Sequence, residues 1–404
     1  MIIMKANRLK IEEVLTKGVE SIHPGKSFLE RQLLSGRKLK IYCGYDPSSP
    51  HLHLGHLVSF LKLSQFQKLG HSVIMLIGDF TGMIGDPTGK ESARKKLTRK
   101  EVVLNACNYQ KLAGRVLAFY GKNPCQLVYN SKWQDKLTFV DIIELASNFT
   151  VQQMIARDMF QERLKKKSPI YLQEFLYPLA QAYDSVALDV DAEVGGNDQT
   201  FNMFCGRDLM AALKKKEKLI VALKLLADPA TGKKMGKTEG NLIPLDMPPK
   251  EMYGKIMSWP DGLIQLGFEL CTGLPLKEIE SIQRAVKSGS LSPRDAKAKL
   301  AFNIVSVCHG RKPALEAGKE FTRVFKEKKI PAQIPAIKIK KRIIGLTDLL
   351  VETMLAPSRS EAQRIIIQKG CKIDGEIQED WRKEIQIKKG QILQVGKRRF
   401  VKII

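Results

Sequence analysis

His53 and His56 stand three residues apart in the run Tyr42-Cys43-Gly44-Tyr45-Asp46-Pro47-Ser48-Ser49-Pro50-His51-Leu52-His53-Leu54-Gly55-His56. Imidazole N–H groups at a helix start can donate to phosphate oxygens. Gly55, between them, has no Cβ to hold a nucleotide ring away. The apolar run Leu39 to Cys43 leads into this turn and reads as a buried strand. After it, Leu57, Phe60, Leu61, Leu63 and Phe66 recur at helical spacing as far as Gly70. The turn therefore joins a strand end to a helix start, where open α/β sheets take their ligands. A histidine-bearing surface turn would share these features, so other segments must converge with it.

Four further stretches carry such chemistry. In Leu172 to Leu188, Tyr177, Gln181 and Asp184 fall at i, i+4 and i+7 of a mostly apolar helix. They share one face, and no lysine or arginine interrupts them. Pro178 predicts a kink there. Asp184 can accept a hydrogen bond from a phenolic hydroxyl, and so can Tyr42. In Gly195-Gly196-Asn197-Asp198-Gln199, two glycines permit close backbone approach and Asp198 can read a hydroxyl; Asn197 or Asp198 can equally cap the helix that follows. Gly78 to Lys90 is a glycine-rich loop with Asp79, Thr81, Asp86 and Lys90. Its glycine spacing is not that of a dinucleotide fingerprint. Gly232 to Asn241 contains Gly236-Lys237-Thr238, but position 231 is threonine where a P-loop needs glycine. What remains is a mobile loop with Lys233, Lys234 and Lys237, suited to a triphosphate.

Those residues need a scaffold. Residues 5–35 read as helical. Val73 to Ile77 is a second strand, so the chain opens with a βαβ unit and a parallel sheet. Thr98-x-x-Glu101 is a capping box. From about 105 to 185 the pattern is helical with little strand signal, which predicts a helical insertion in the sheet. Val190 to Val194 and Lys218 to Leu226 read as strands. Amphipathic helices fill 247–330, including Ala296 to Cys308 and Ala314 to Phe325. Residues 331–342 read as a linker. In 343–404, Ser358-x-x-Glu361 opens a short helix bearing Arg359, Arg364 and Lys369, Asp374-Gly375 marks a turn, and short strands follow. The fold class is α/β: a Rossmann-like parallel-sheet domain over 1–246, an α-helical bundle, and a small C-terminal α+β domain suited to RNA.

The 404 residues, 44% hydrophobic and 27% charged, can bury a large core. A net charge of +25 favours a polyanionic partner, nucleic acid before membrane. Seven dispersed cysteines form no Cys-x-x-Cys pair, which argues against a zinc ribbon or redox dithiol and fits free thiols in a reducing cytoplasm; no protein-bound metal is expected. Met1 to Lys17 lacks the apolar core of a signal peptide, and no run approaches a membrane span.

On these motifs the chain resembles the bacterial tyrosyl-tRNA synthetases, in class I of the aminoacyl-tRNA synthetases. His53-Leu54-Gly55-His56 is similar to the class signature His-Ile-Gly-His, and Lys234-Met235-Gly236-Lys237-Thr238 to its partner Lys-Met-Ser-Lys-Ser, with glycine and threonine replacing the serines. The tyrosine subgroup is indicated by Tyr42 to Pro47, Glu174-Phe175-x-Tyr177, Gln181-Ala182-Tyr183-Asp184 and Gly195 to Gln199. Ser358 to Ala362 and Gly370-x-x-x-Asp374-Gly375 resemble a ribosomal-protein RNA-binding module.

The resemblance implies that Tyr42 and Asp184 hold the tyrosine hydroxyl. Tyr177, Gln181 and Asp86 would take its ammonium group, with Gln199 and Thr81 beside them. Asp198 would read the ATP ribose, with Gly44, Asp46, Gly55 and Gly196 near the nucleotide. Ser48, His53, His56, Lys234 and Lys237 would meet the phosphates, and Lys90, Arg94, Arg359 and Arg364 the tRNA. It further implies ATP with Mg2+ as substrate, tRNA(Tyr) and L-tyrosine as partners, and a homodimer formed through the insertion. Tryptophan activation on the same fold is the nearest rival, and an RNA-binding relative that no longer activates amino acids is the next.

Overall fold

In a computed structural model, the structure describes residues 2–88, 96–229, 232, 242–325, 335–339, 341–396 and 399–404. The chain divides into two units, Met1–Leu315 and Glu316–Ile404. Six strands build the sheet of the first: β1 Val19–His23, β2 Lys40–Tyr45, β3 Ser72–Ile77, β4 Gln126–Tyr129, β5 Ala192–Gly196 and β6 Leu219–Leu223. Their order is β1-β6-β5-β2-β3-β4, and all pair in parallel except β1 with β6.

A parallel sheet covered on both faces needs apolar residues at successive positions, not alternate ones. Ile41, Tyr42 and Cys43 of β2, Val73 to Ile77 of β3 and all of β6 are accordingly buried. β2 pairs with β3 on one side and β5 on the other. Chain leaving β2 passes through helix Leu54–Lys68 into β3, whereas β5 arrives much later from helix Leu172–Leu188. The connections part at the carboxyl ends of β2 and β5, which opens a crevice there.

Two strands differ from expectation. Residues 5–35 are not one helical stretch: helices Ile2–Thr16 and Lys26–Leu34 flank β1. Its sequence Val-Glu-Ser-Ile-His has no apolar run because it is an edge strand. The expected helical insertion contains β4, which pairs with β3 from Ile74↔Gln126 to Ile77↔Tyr129. Four edge residues leave too little periodicity to read. Helices Tyr109–Ala113, Ser131–Gln134, Phe139–Ala146, Val151–Ile155 and Asp158–Lys165 also belong to the insertion before Leu172–Leu188, which runs continuously past Pro178. The amino end of that last helix is pinned by Glu174, which accepts from Tyr171 N–H at 2.9 Å. Both Glu174 oxygens also accept from buried Arg163, at 2.6 and 2.8 Å.

Beyond the sheet, helices Pro249–Met257, Leu263–Cys271, Leu276–Lys287 and Pro293–His309 pack as a bundle, with Leu300, Ala301, Ile304 and Val305 wholly buried. Among the described residues, no helix is long and apolar enough to cross a membrane.

The second unit holds a five-stranded sheet, order β10-β9-β12-β13-β7, from β7 Ala336–Ile337, β9 Cys371–Ile373, β10 Glu376–Gln378, β12 Ile392–Val395 and β13 Arg399–Ile403. A separate pair joins β8 Ile343–Gly345 and β11 Glu384–Gln386. β7 lies within the stretch read as linker, and it pairs in parallel with β13. Asp374 and Gly375, at φ 50° and 92°, form the tight β9–β10 turn, whose twist needs positive φ at both residues. Helix Arg359–Ile367 is capped by Ser358, which accepts from Glu361 N–H. Glu361 does not complete the expected box; its carboxylate accepts from Arg364 at 2.8 Å.

Candidate active site

A cleft of about 750 Å³ opens at the carboxyl ends of β2 and β5. Tyr42, Gly44, Asp46, Ser48, His53, Gly55, His56, Thr81, Asp86, Tyr177, Gln181, Asp184, Gly196, Asp198 and Gln199 all line it. Segments as distant in sequence as 42–56 and 177–199 therefore meet. Lys90, Arg94, Lys234 and Lys237 lie outside the described residues, as do Gly236 and Thr238. Arg359 and Arg364 belong to the second unit, where they are exposed and pair with Asp348 and Glu361.

The histidines do two jobs. His53 Nδ1 accepts from Gly55 N–H, and His56 Nδ1 accepts from His53 N–H, each at 3.1 Å. Together they cap helix Leu54–Lys68 reciprocally, a task more often given to serine, threonine or aspartate. An Nδ1 that accepts carries no hydrogen, so each neutral ring has its hydrogen on Nε2. The rings lie 4.0 Å apart at a positive helix end, each neutral form carrying its hydrogen on Nε2. A Cβ on Gly55 would lie 2.9 Å from His53 Cε1, so the glycine makes room for the ring as well. This turn is stitched to the segment directly after the lysine-bearing loop. Leu54 N–H donates to the Ile243 carbonyl at 3.1 Å and Leu245 N–H to that of Leu52 at 2.8 Å.

Another part of the lining is buried and acidic. Asp184 is 3% exposed. Its Oδ1 accepts from Trp133 Nε1 at 2.8 Å and Gln134 Nε2 at 2.9 Å, and its Oδ2 from Asn130 Nδ2 at 3.2 Å. Burial pushes its pKa up to about 7, while those three donors pull it down and Asp46 adds to the rise. Tyr42 is fully buried and its phenol oxygen lies 2.8 Å from Ser185 Oγ. Burial, with Glu193 and Asp184 nearby, holds that phenol protonated well above its ordinary pKa. Asp46 accepts from Thr81 Oγ1 at 2.6 Å and from the Tyr177 hydroxyl at 2.8 Å. Asp86 accepts from Thr88 and, at 2.7 Å, from Gln199 Nε2.

Sequence reasoning missed the residues that hold these in place. Trp133 and Gln134 come from the short helix Ser131–Gln134, and Asn130 immediately precedes it, some fifty residues before Asp184. Gly78 is another: a Cβ there would overlap Asp46 Oδ1 and Thr81 Oγ1. Ser185, Glu193 and Lys218 form a third group. One signal was present, since Glu193 sits between apolar residues of an interior strand and a buried carboxylate needs a cation.

Comparison with known proteins identifies the family. Residues 34–326 match the family described as tRNA synthetases class I (W and Y), and residues 326–403 the Tyrosine--tRNA ligase SYY-like C-terminal domain. The chain is 44% identical over 393 residues to the tyrosine--tRNA ligase of Moorella thermoacetica, covering 96% of this chain and 94% of that one. With the Thermotoga maritima tyrosine--tRNA ligase it is 42% identical, covering 97% and 96%. A C-terminally truncated mitochondrial tyrosyl-tRNA synthetase from Aspergillus nidulans shares the fold, with a TM-score of 0.66, 22% identity, and 78% and 94% of the chains covered. Two family matches in tandem, with relatives above 40% identity along nearly the whole length, place the chain among the class I aminoacyl-tRNA synthetases, in the tyrosine–tRNA ligase family.

Proposed function

We propose that this cleft joins L-tyrosine to ATP and passes the tyrosyl group to the 3′ end of tRNA(Tyr). The observation that carries this reading is a single cleft lined both by the imidazole-capped turn and by the buried pair Tyr42 and Asp184. The tyrosine carboxylate attacks the α-phosphorus of ATP, the bond to the β-phosphate bridging oxygen breaks, and tyrosyl-adenylate and pyrophosphate form. The terminal tRNA ribose hydroxyl then attacks the tyrosyl carbonyl, and AMP leaves. A carboxylate is already a nucleophile, so catalysis rests on alignment and on stabilising phosphate charge.

His53 and His56 donate Nε2–H to the phosphates, beside Ser48. Lys234 and Lys237 act with them; their loop runs directly into the segment stitched to the histidine turn. Mg2+ arrives with ATP and neutralises phosphate charge. Asp198 takes the ribose, with Gly44, Gly55 and Gly196 close to the nucleotide. An ionised carboxylate offers about four acceptor sites. Three donors meet Asp184 in the structure, and the substrate phenol supplies the fourth. Asp86, Gln181 and Tyr177 surround the substrate ammonium group, with Asp46 and Thr81 steadying Tyr177 and Gln199 steadying Asp86. Lys90, Arg94, Arg359 and Arg364 face the tRNA. Pyrophosphate exchange without tRNA tests the assignment: tyrosine should support it, while tryptophan or no amino acid should not. Exchange with tryptophan at a comparable rate would overturn it.

The same reading includes a homodimer in the cytoplasm. Phe139 and Val140 on helix Phe139–Ala146, and Val151 soon after, are more than 70% exposed. So apolar a face on the insertion supports burial against a second copy. Light scattering should give twice the 45.5 kDa chain mass; a monomer mass at micromolar concentration would remove the dimer.

A further inference from the structure

Beside Tyr42 and Gln181 lies a buried polar group with no counterpart in the roles above, of which Glu193 also lines the cleft. Lys218, at the head of β6, is wholly buried. Its ammonium pairs with Glu193 Oε2 and donates to Ser185 Oγ at 3.0 Å. Glu193 Oε1 accepts from Gln181 Nε2 at 3.0 Å. Ser185 Oγ in turn meets the Tyr42 phenol oxygen. One ammonium is thus linked, through a single intervening side chain each way, to two side chains that line the cleft. Gly206 gives the ammonium its space: a Cβ there would collide with Lys218 Nζ and lie 2.9 Å from Ser185 Oγ.

Stability does not account for such a pair. Desolvating two charges costs several kcal/mol each, and an apolar pair of similar shape commonly supports a fold as well. Direction does account for it. An ammonium only donates, so Ser185 must accept from it, and the serine hydrogen is left for the Tyr42 oxygen. The Tyr42 hydrogen then turns away from Ser185, toward the Glu193 carboxylate and the cleft, where a substrate phenol oxygen can take it. A carboxylate only accepts, so Glu193 holds the Gln181 amide with its NH2 inward. Gln181 Oε1 is left buried and without a hydrogen-bond partner among the described residues, an acceptor in the cleft wall.

We propose that the Lys218–Glu193 pair, acting through Ser185, sets the hydrogen-bond polarity of the amino-acid pocket. It makes Tyr42 a donor to the substrate phenol oxygen and Gln181 an acceptor for the substrate ammonium. The substrate phenol must then give its own hydrogen to Asp184. Such a pocket asks for a group that accepts on one side and donates on the other, which a hydroxyl does and a bare ring edge does not. Lys218, Glu193 and Ser185 are positioning residues, and this rests on reading Tyr42, Gln181 and Asp184 as the tyrosine pocket.

The test is pyrophosphate exchange with tyrosine and with phenylalanine, on full-length protein. The ratio of the two kcat/KM values is the readout, because partial unfolding lowers both alike. Ser185→Ala, which removes one oxygen, should lower the ratio about tenfold, the worth of one oriented hydrogen bond. The KM for ATP should stay unchanged. The double variant Glu193→Gln with Lys218→Met leaves no orphan charge. It should also lower kcat/KM for both amino acids about tenfold, since the Gln181 amide is freed to rotate. If the double variant does not fold, Ser185→Ala decides alone. Tyr42→Phe is the reference. Should it collapse the ratio while Ser185→Ala leaves it within twofold, the polarity proposal is wrong and the pocket stands. Should Tyr42→Phe also leave the ratio intact, the pocket reading itself falls.

Discussion

Asp184→Ala should lower kcat/KM for tyrosine on the order of a hundredfold while that for phenylalanine hardly moves. The hydrogen bond from the substrate phenol to a carboxylate is charge-assisted and worth about 2–3 kcal/mol, and phenylalanine never makes it. A site built around a hydroxyl rejects the deoxy analogue by about 10⁴–10⁵, a magnitude for which tyrosine activation is itself the reference case. Alanine here also strands the donors of Asn130, Trp133 and Gln134, so Asp184→Asn, which keeps one acceptor oxygen, separates lost selectivity from lost stability. The same carboxyl predicts a pH profile. Burial raises it from an ordinary value of 3.8 to about 7, against the pull of its three donors. Tyrosine meets the ionised form, so its kcat/KM should climb between about pH 6 and 8 and then level, while phenylalanine stays flat. The effect on folding has the opposite sense. Because the folded pKa lies above the unfolded one, the native state holds the extra proton, and this group withdraws stability as pH rises from about 4 to about 7. Equal profiles for the two amino acids, or an alanine variant with unchanged discrimination, would take Asp184 out of the site.

What could be read from the chain was whatever is local. The strand, turn and helix around His53, the polar stripe on Leu172–Leu188 and the glycine pair before Asp198 each announce themselves within a dozen residues. Their convergence follows from one topological rule, because β2 and β5 diverge at the switch point. The misses are edge strands and second partners. β1 and β4 are short and border the sheet, so neither carries the apolar run of an interior strand. The donors to Asp184 come from fifty residues upstream, and no periodicity marks a buried asparagine or glutamine. The histidine cap was hidden for another reason: capping is sought in small oxygen side chains, whereas here two imidazole nitrogens do it. That substitution has consequences for catalysis.

His53→Ala should slow tyrosyl-adenylate formation on the order of a hundredfold, about 3 kcal/mol, which is what one preorganised donor to developing phosphate charge is worth. Tyrosine affinity measured by equilibrium binding should barely change, because the proposed partner of the ring is the ATP phosphate and not the amino acid. The structure adds a complication. His53 Nδ1 accepts from Gly55 N–H, so alanine also removes half of the helix cap, at a cost of about 1 kcal/mol in folding stability. The two roles use different nitrogens of one ring and can be parted. Asparagine is a good cap residue, and its side-chain oxygen can replace Nδ1 as acceptor, but its amide cannot put an N–H where Nε2 stood. His53→Asn should therefore recover the thermal stability lost in His53→Ala and only part of the lost rate. Full recovery of rate with the cap would mean that His53 serves the helix alone, and the phosphate would then have to be met by His56 and the lysines.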